Sequence, residues 1–131
     1  MNPPIGEEAD QKALIAALID GTIDVIATDH APHTEEEKSR GFRNSACGIV
    51  GLESALPVVY TFFVRTGIIT MERMVDLMSR NAYRILGMMQ PPYYIKVDFA
   101  TPFTLDATTF KSKGRSCPFD GMELYGKIIN K

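Results

Sequence analysis

Residues 23–33 read Ile-Asp-Val-Ile-Ala-Thr-Asp-His-Ala-Pro-His, and they are the strongest indication of the fold class. Its first part, Ile23 to Thr28, is short, largely apolar and rich in β-branched residues, which is typical of a buried parallel strand. A carboxylate and two imidazoles follow at once in Asp29, His30 and His33. Because α/β folds place their active sites beyond the carboxyl ends of such strands, the stretch predicts an α/β fold with reactive side chains after one strand.

Helical patterns lie on both sides of the predicted strand. From Glu7, acidic residues fill a first turn and aliphatic residues recur at helical spacing as far as Gly21, a typical helix stop. Leu52 to Val64 predicts a mostly buried helix that Pro57 would kink. Thr70 is the expected cap of a further helix, whose methionines we interpret as core residues.

The remaining segments are shorter and more polar. Thr34 to Gly41 contains three consecutive glutamates, and such a charge run predicts a solvated loop. Asn81 to Leu86 predicts one more short helical turn. Tyr93 to Phe99 and Tyr125 to Ile129 predict strands in a tail that is rich in Gly and Pro.

The composition is that of one ordinary soluble domain. The chain has 131 residues, of which 45% are hydrophobic and 23% charged, with a formal net charge of -2. This charge argues against binding to nucleic acid or anionic lipid, and no apolar stretch approaches the roughly 20 residues that span a bilayer. With no signal-peptide pattern and two cysteines expected to be unpaired, we expect a cytoplasmic protein that binds neither nucleic acid nor membrane.

Asp29 and His33 are the main candidates for chemistry. Asp29 suits a metal ligand or a general base, and His33 suits a donor to an anionic group of a substrate. The alternative is a hydrogen-bonded loop in which both residues are ordinary polar caps. The two histidines of the chain and one carboxylate in a single loop do not complete a zinc site. Any metal chemistry would therefore need ligands from outside this sequence.

Several stretches of the chain resemble one family of enzymes. They are Asn2-Pro3-Pro4, residues 20–34 (Asp-Gly-Thr-Ile-Asp-Val-Ile-Ala-Thr-Asp-His-Ala-Pro-His-Thr) and residues 48–53 (Gly-Ile-Val-Gly-Leu-Glu). Together they resemble the C-terminal third of bacterial-type dihydroorotases, which belong to the amidohydrolase superfamily. The likeness runs in order from Asn2 to about Gly87, and residues 112–115 and 118–121 resemble the family's C-terminal tail.

The resemblance implies an α/β fold that is the C-terminal portion of a metal-dependent-hydrolase TIM (β/α)8 barrel plus part of a small β-sandwich tail. Residues 1–87 would supply the last barrel strand and its flanking helices, and residues 88–131 the loop and β tail. After Gly87 the chain departs from the family, because residues 88–94 replace a longer Gly-rich segment that contains an Asp.

The resemblance also implies an activity and a set of site residues. Such enzymes interconvert dihydroorotate and N-carbamoyl-aspartate in pyrimidine synthesis and hold two zinc ions. Asp29 would be catalytic and a metal ligand, moving a proton between a bridging hydroxide and the leaving ring nitrogen. Asn2 and His33 would bind the small-molecule substrate, and the main chain of Cys47 and Gly48 would contact its ring. By position alone, the pattern favours a turn residue for Asn2 and a backbone turn position for Gly48 over a binding role.

The family's other metal ligands, an His-x-His pair, a carboxylated lysine and two further histidines, have no counterpart in this sequence. We therefore expect the isolated chain to hold an incomplete site and a strand with two open edges, completed by a homo-oligomer or a complementing chain. His30 has no role that the resemblance implies, and we expect it to brace the loop.

Two alternatives to a dihydroorotase stay open. One is a non-catalytic remnant or interaction module, which the absent ligands and the shortened tail favour. The other is a cyclic amidase of the hydantoinase or allantoinase type. His33 argues against the second, because those relatives tend to carry a cysteine at the position of Ala31 or to lack the second histidine.

Overall fold

The structure is a computed structural model that describes residues 4, 6–90, 92 and 94–130. The helices are α1 (Glu8–Asp20), α2 (Glu35–Lys38), α3 (Ala55–Val59), α4 (Met71–Val75) and α5 (Asn81–Ile85). The strands are β1 (Lys96–Asp98), β2 (Phe103–Thr104), β3 (Glu123–Leu124) and β4 (Lys127–Asn130). Two π-helical segments, Tyr60–Val64 and Asp76–Arg80, and a 3-10 turn, Ala107–Thr109, complete the regular structure. None of the described helices is long and apolar enough to cross a bilayer.

Helix α1 forms where the sequence predicts it. The Glu7 amide donates to Asp10 Oδ2 at 2.8 Å at the start of the helix, and Gly21 ends it with φ 92°. This φ lies in the left-handed region that glycine adopts without steric cost, so the predicted stop is confirmed. Leu18 is the residue of α1 that is buried against the other helices, and most of the helix surface is exposed.

The long helix predicted over residues 52–64 is correct in place but wrong in detail. It begins at Ala55, so Pro57 lies in the first turn, where its missing N–H breaks no helical hydrogen bond. The irregularity instead comes after Val59, where the Arg65 amide donates to Tyr60 O at 2.9 Å in a wider π turn.

Thr70 caps α4 as predicted, because its side-chain oxygen accepts from the Arg73 amide at 3.1 Å. The π segment 76–80 then joins α4 to α5, so residues 71–85 are helical throughout. Helix α5 ends at Ile85, within one residue of the predicted turn. Met74 is 4% exposed and confirms the expected core position, whereas Met71 is 38% exposed, which corrects the expectation for that methionine.

The predicted solvated loop over residues 34–41 contains a helix, α2, which corrects the sequence prediction. Thr34 Oγ1 accepts from the Glu37 amide at 3.2 Å, and Glu37 Oε2 accepts from the Thr34 amide at 2.9 Å. These two bonds form a capping box, which satisfies amides at the start of the helix. The glutamates therefore start a helical turn rather than an irregular loop.

The predicted buried strand over residues 23–28 does not form a β ladder in the part of the chain that the structure describes. Helical residues hold it instead: the Ile26 amide donates to Leu77 O at 2.9 Å, and Arg73 donates to Ile23 O at 2.8 Å. Val25 and Ile26 are only partly buried, which corrects the expectation of burial on both faces. A single parallel bridge, between His30 and Ile49, follows the segment.

Two small antiparallel sheets make up the tail. Strand β1 pairs with β4, and β2 pairs with β3. The strands predicted over residues 93–99 and 125–129 form over Lys96–Asp98 and Lys127–Asn130. The predicted ends of both strands were therefore wrong by one to three residues. Residue 93 lies outside the described residues.

Two apolar clusters stabilise the described structure. The helical cluster contains Leu18, Val59, Ile69, Met74 and Leu77. The tail cluster contains Val50, Leu105, Ala107, Phe110 and Leu124. Val50 is fully buried and comes from the loop after α2, so the tail packs directly against the segment that carries the candidate site.

Candidate functional site

Asp29 follows directly after residues 23–28, and its backbone is unusual. It has φ 44°, and it is the one non-glycine residue with a positive φ among those that the structure describes. Asp tolerates this left-handed region better than most residues, but the conformation is still uncommon. The side chain is exposed. A strained backbone at an exposed carboxylate motivates a functional hypothesis for Asp29.

His30 braces the site loop through both of its ring nitrogens. Its Nδ1 accepts from the amides of Gly51 and Leu52, each at 3.2 Å. A neutral ring whose Nδ1 accepts carries its proton on Nε2, and this atom lies 3.5 Å from Ser112 Oγ. The expectation that His30 braces the loop is therefore confirmed.

His33 is partly buried beside a carboxylate of α2. Its Nδ1 lies 3.6 Å from Glu37 Oε2, and 28% of the His33 side chain is exposed. Hydrogen bonds from the Thr34 amide and hydroxyl hold the pKa of Glu37 below its usual value, and the nearby charges of His33 and Arg40 lower it further. Glu37 therefore stays ionised at neutral pH and places a negative charge beside the His33 ring.

A cavity of about 410 Å³ lies against the site loop. His33 lines it, and so do residues of the tail. The full lining is His30, Pro32, His33, Thr34, Glu37, Ser112, Lys113 and Gly114. Asp29, Cys47 and Gly48 do not line this cavity, so the structure does not gather all of the candidate residues around one space.

Gly48 packs closely against the site loop. It has φ 127°, and a Cβ at this position would lie 2.6 Å from Ala31 Cβ and 3.3 Å from His33 Cδ2. Only glycine fits such a conformation and approach. Cys47, its neighbour, is an exposed free thiol, and Cys117 is free as well, which confirms the expectation of unpaired cysteines. Asn2 lies outside the described residues.

The tail is attached to the site loop at several points. The Ser112 amide donates to Glu53 Oε1 at 2.9 Å, and the Val50 amide donates to Ser116 O at 3.0 Å. A Cβ on Gly114 would lie 2.8 Å from Val50 Cγ1 and 2.9 Å from Pro32 Cβ. The sequence comparison with the family tail contained Ser112 and Gly114 but gave no indication of these contacts.

Lys38, like Glu37, is a residue of the site region that sequence reasoning missed. Its Nζ donates to Ala46 O at 2.9 Å and to Gly48 O at 2.8 Å. It stands at the end of a run of charged residues that predicted a solvated surface, and only the folded helix turns its side chain toward the loop. The three glutamates before it gave no signal of this role.

The described residues do not fit a zinc site on their own. No three His, Cys, Asp or Glu side chains within them come close enough together to hold a metal ion. His30 Nδ1 already accepts two amide hydrogen bonds, so the immediate neighbour of Asp29 does not offer this nitrogen to a metal. A metal at this place would need ligands from elsewhere.

Solved structures identify the class of protein first. The chain resembles the L-hydantoinase (dihydropyrimidinase) from Arthrobacter aurescens, with a TM-score of 0.87 and 28% identity over 98% of this chain and 31% of that chain. It also matches a dihydroorotase from Campylobacter jejuni with a TM-score of 0.74 and 16% identity, over 98% of this chain and 36% of that one. The fold is that of a segment of the cyclic amidohydrolases. No protein-family model matches the chain.

Curated relatives then narrow the class to a family. The chain is 47% identical to the dihydroorotase of Anoxybacillus flavithermus, over 96% of its own length and 31% of that protein. It is 46% identical to the dihydroorotase of Enterococcus faecalis, over 98% of its length and 32% of that relative. The chain is therefore similar, along almost all of its length, to one segment of the dihydroorotases, and it spans about 31% of the length of the curated relatives it matches.

Proposed function

We propose that the protein that carries this chain is a dihydroorotase, which reversibly hydrolyses the cyclic amide of dihydroorotate to N-carbamoyl-aspartate in pyrimidine synthesis. The observation that carries this proposal is the 47% identity with a dihydroorotase over 96% of the chain. The identity with the solved hydantoinase is 28% over a similar share. We further propose a cytoplasmic location, in keeping with a small polar substrate.

Asp29 is the proposed catalytic residue. Hydrolysis adds water to the ring carbonyl carbon, breaks the carbon–nitrogen bond and delivers a proton to the leaving nitrogen. An exposed carboxylate can accept a proton from the attacking water and return it to that nitrogen. The Asp29 backbone at φ 44° and the hydrogen bonds of the adjacent His30 fix the position of the main chain from which this carboxylate projects. The two zinc ions of such an enzyme would take Asp29 as one ligand and the others from outside this sequence.

His33 is the proposed partner of the substrate carboxylate. It lines the cavity, and its Nδ1 lies toward Glu37; a ring that carries a proton on both nitrogens can then donate from Nε2 to an anion. Asn2 is a second proposed substrate contact. The main chain of Cys47 and Gly48 is the proposed contact for the ring; a Cβ added to Gly48 would lie 3.3 Å from His33 Cδ2, so this backbone lies beside the histidine although it does not line the same cavity.

The proposal is tested by assaying the protein as its gene encodes it against dihydroorotate, hydantoin and allantoin, with metal content measured on the same sample. Turnover of dihydroorotate at least tenfold faster than of the other two rings is the expected result. A preference for hydantoin would favour the second candidate, a hydantoinase-type amidase, which the higher TM-score of 0.87 favours.

A non-catalytic interaction module is the third candidate. Its support is the absence of a metal-binding group among the described residues. Folded protein that hydrolyses none of the three rings in the presence of added zinc, yet copurifies with a stoichiometric partner, would replace the enzymatic proposal with this one.

A further inference from the structure

Lys38 makes contacts that are unusual for a surface lysine. The side chain is partly buried, and its ammonium group bonds to two main-chain carbonyls, Ala46 O at 2.9 Å and Gly48 O at 2.8 Å. Among the described residues it forms no ion pair with a carboxylate, although α2 carries three glutamates. The cation is therefore directed at one short stretch of backbone.

These bonds determine how the peptide groups around Cys47 are turned. A peptide unit is planar, and its C=O and N–H point in opposite directions. Because the carbonyls of Ala46 and Gly48 point toward Lys38, the amides of Cys47 and Ile49 point away from it. Hydrogen bonds from a charged donor are stronger than those between neutral groups, so this orientation resists rotation of the peptides.

Helix α2 and the same stretch are joined in the other direction as well. Ser45 Oγ donates to Lys38 O at 2.8 Å, and the Ala46 amide donates to Glu37 O at 3.0 Å. Glu37 is also the residue whose carboxylate lies beside His33 Nδ1. One helical turn therefore contacts both the proposed carboxylate-binding histidine and the proposed ring-binding backbone.

We propose that Lys38 is a positioning residue, which holds the main chain of residues 46–48 in the orientation that meets the ring of the substrate. It does not itself touch the substrate. Its hold on the loop follows from the contacts alone, whereas its consequence for substrate binding rests on the proposed function. The two parts are therefore tested by separate measurements on the same variants.

Three substitutions separate the ammonium group from the rest of the side chain. Lys38→Met keeps the length of the stem and removes the charge and the donors. Lys38→Arg keeps a charged donor. Arg40→Met is the matched control, because Arg40 is an exposed cation two positions along that pairs with Glu36 at 3.2 Å and does not bond to residues 46–48.

The first measurement is backbone hydrogen exchange over residues 45–49 in the protein as its gene encodes it. We expect Lys38→Met to raise the exchange rate of this segment about tenfold or more, since it removes two charge-assisted hydrogen bonds. Lys38→Arg should restore most of the protection, and Arg40→Met should match the unmodified protein. Equal exchange in Lys38→Met and Arg40→Met would overturn the hold on the loop. Should the methionine variant not fold, Lys38→Gln gives the same comparison.

The second measurement is the split between KM and kcat for dihydroorotate. We expect Lys38→Met to raise KM about tenfold with a smaller change in kcat, because ring contacts made before the reaction are lost. Faster exchange with an unchanged KM would refute the role in substrate binding. No turnover by the unmodified protein would refute the proposed function and that role together, and the exchange result would still decide whether Lys38 holds the loop.

Discussion

Residues 23–28 and residues 29–33 are neighbours in sequence, but their surroundings hold them in different ways. The first segment makes no β ladder in the described structure and depends on isolated bonds to Arg73, Leu77 and Asn81. The second is fixed by His30, by the bridge to Ile49 and by the close approach of Gly48. The candidate site loop is thus organised by contacts with residues 48–52, whereas in the described structure several backbone groups of residues 23–28 have no protein partner.

This difference has a practical meaning for function. A loop that its own neighbours preorganise can present reactive groups in one geometry. A segment with unpaired backbone groups is a place where further strands can add. Substitutions in the loop should therefore change activity or local stability strongly, and substitutions in residues 23–28 should matter less.

The largest effect is expected at Asp29. Asp29→Asn keeps a residue that tolerates φ 44° but removes the carboxylate, so turnover of dihydroorotate should fall about a hundredfold or more with the fold intact. Asp24→Asn is the matched control in the loosely held segment, because its carboxylate is exposed and 3.9 Å from Arg84. Initial rates and circular dichroism on both variants check the prediction. Equal activity in the two would remove Asp29 from the mechanism.

The next effect concerns the stability of the loop. Gly48→Ala should lower the free energy of unfolding by about 2–4 kcal/mol, because it combines a positive φ with a Cβ 2.6 Å from Ala31 Cβ. Gly21→Ala, where φ is 92° and no atom lies within 4 Å, should cost only about 1 kcal/mol. Urea unfolding monitored by circular dichroism measures both. Similar losses would show that the close approach to Ala31 is not tight in solution.

A smaller effect on the free energy of unfolding is expected when the hydrogen bonds of His30 are removed. His30→Ala leaves the amides of Gly51 and Leu52 without their acceptor, and we expect a loss of about 1–3 kcal/mol. His33→Ala serves as the control for stability, because its ring is near one partly exposed carboxylate. The same unfolding experiment compares the two, and a greater loss for His33→Ala would contradict the bracing role.

The smallest effect is a dependence of stability on pH. The pKa of Glu37 is lowered in the folded state, so its contribution to stability is present above its ordinary value of 4.5 and is lost as pH falls through the lowered pKa. Thr34→Ala removes the hydroxyl that donates to Glu37 Oε2, one of the two bonds that lower this pKa, and should flatten the loss of stability below about pH 4.5. Unfolding curves at several acidic pH values test this, and identical profiles for the two proteins would argue against it.

Local signals predicted local structure well. Gly21 and Thr70 mark a helix end and a helix start through contacts within a few residues, and the structure has both. The same kind of signal, Thr34 followed by Glu37, was present for α2, but the run of glutamates was interpreted as a solvated loop. The error lay in giving charge more importance than a capping pattern.

Contacts between distant parts of the chain could not be predicted from the sequence. The π segment after Val59 and the pairing of β1 with β4 depend on packing between distant parts of the chain. The bonds from Ser112 to Glu53 and from Lys38 to Gly48 have no periodic or compositional signature. For the site, the sequence indicated Asp29, His33 and the bracing role of His30, but it did not indicate that Lys38 and the tail also hold the loop.

The backbone of Asp29 also limits which residues can occupy this position. A φ of 44° is accepted readily by Gly, Asn and Asp and poorly by β-branched or bulky residues. Of the three, only Asp carries a carboxylate. In a library of all substitutions at position 29, folded protein should be recovered mainly with Asn and Gly. Backbone conformation therefore limits which residues are tolerated at this position, independently of the requirement for a carboxylate.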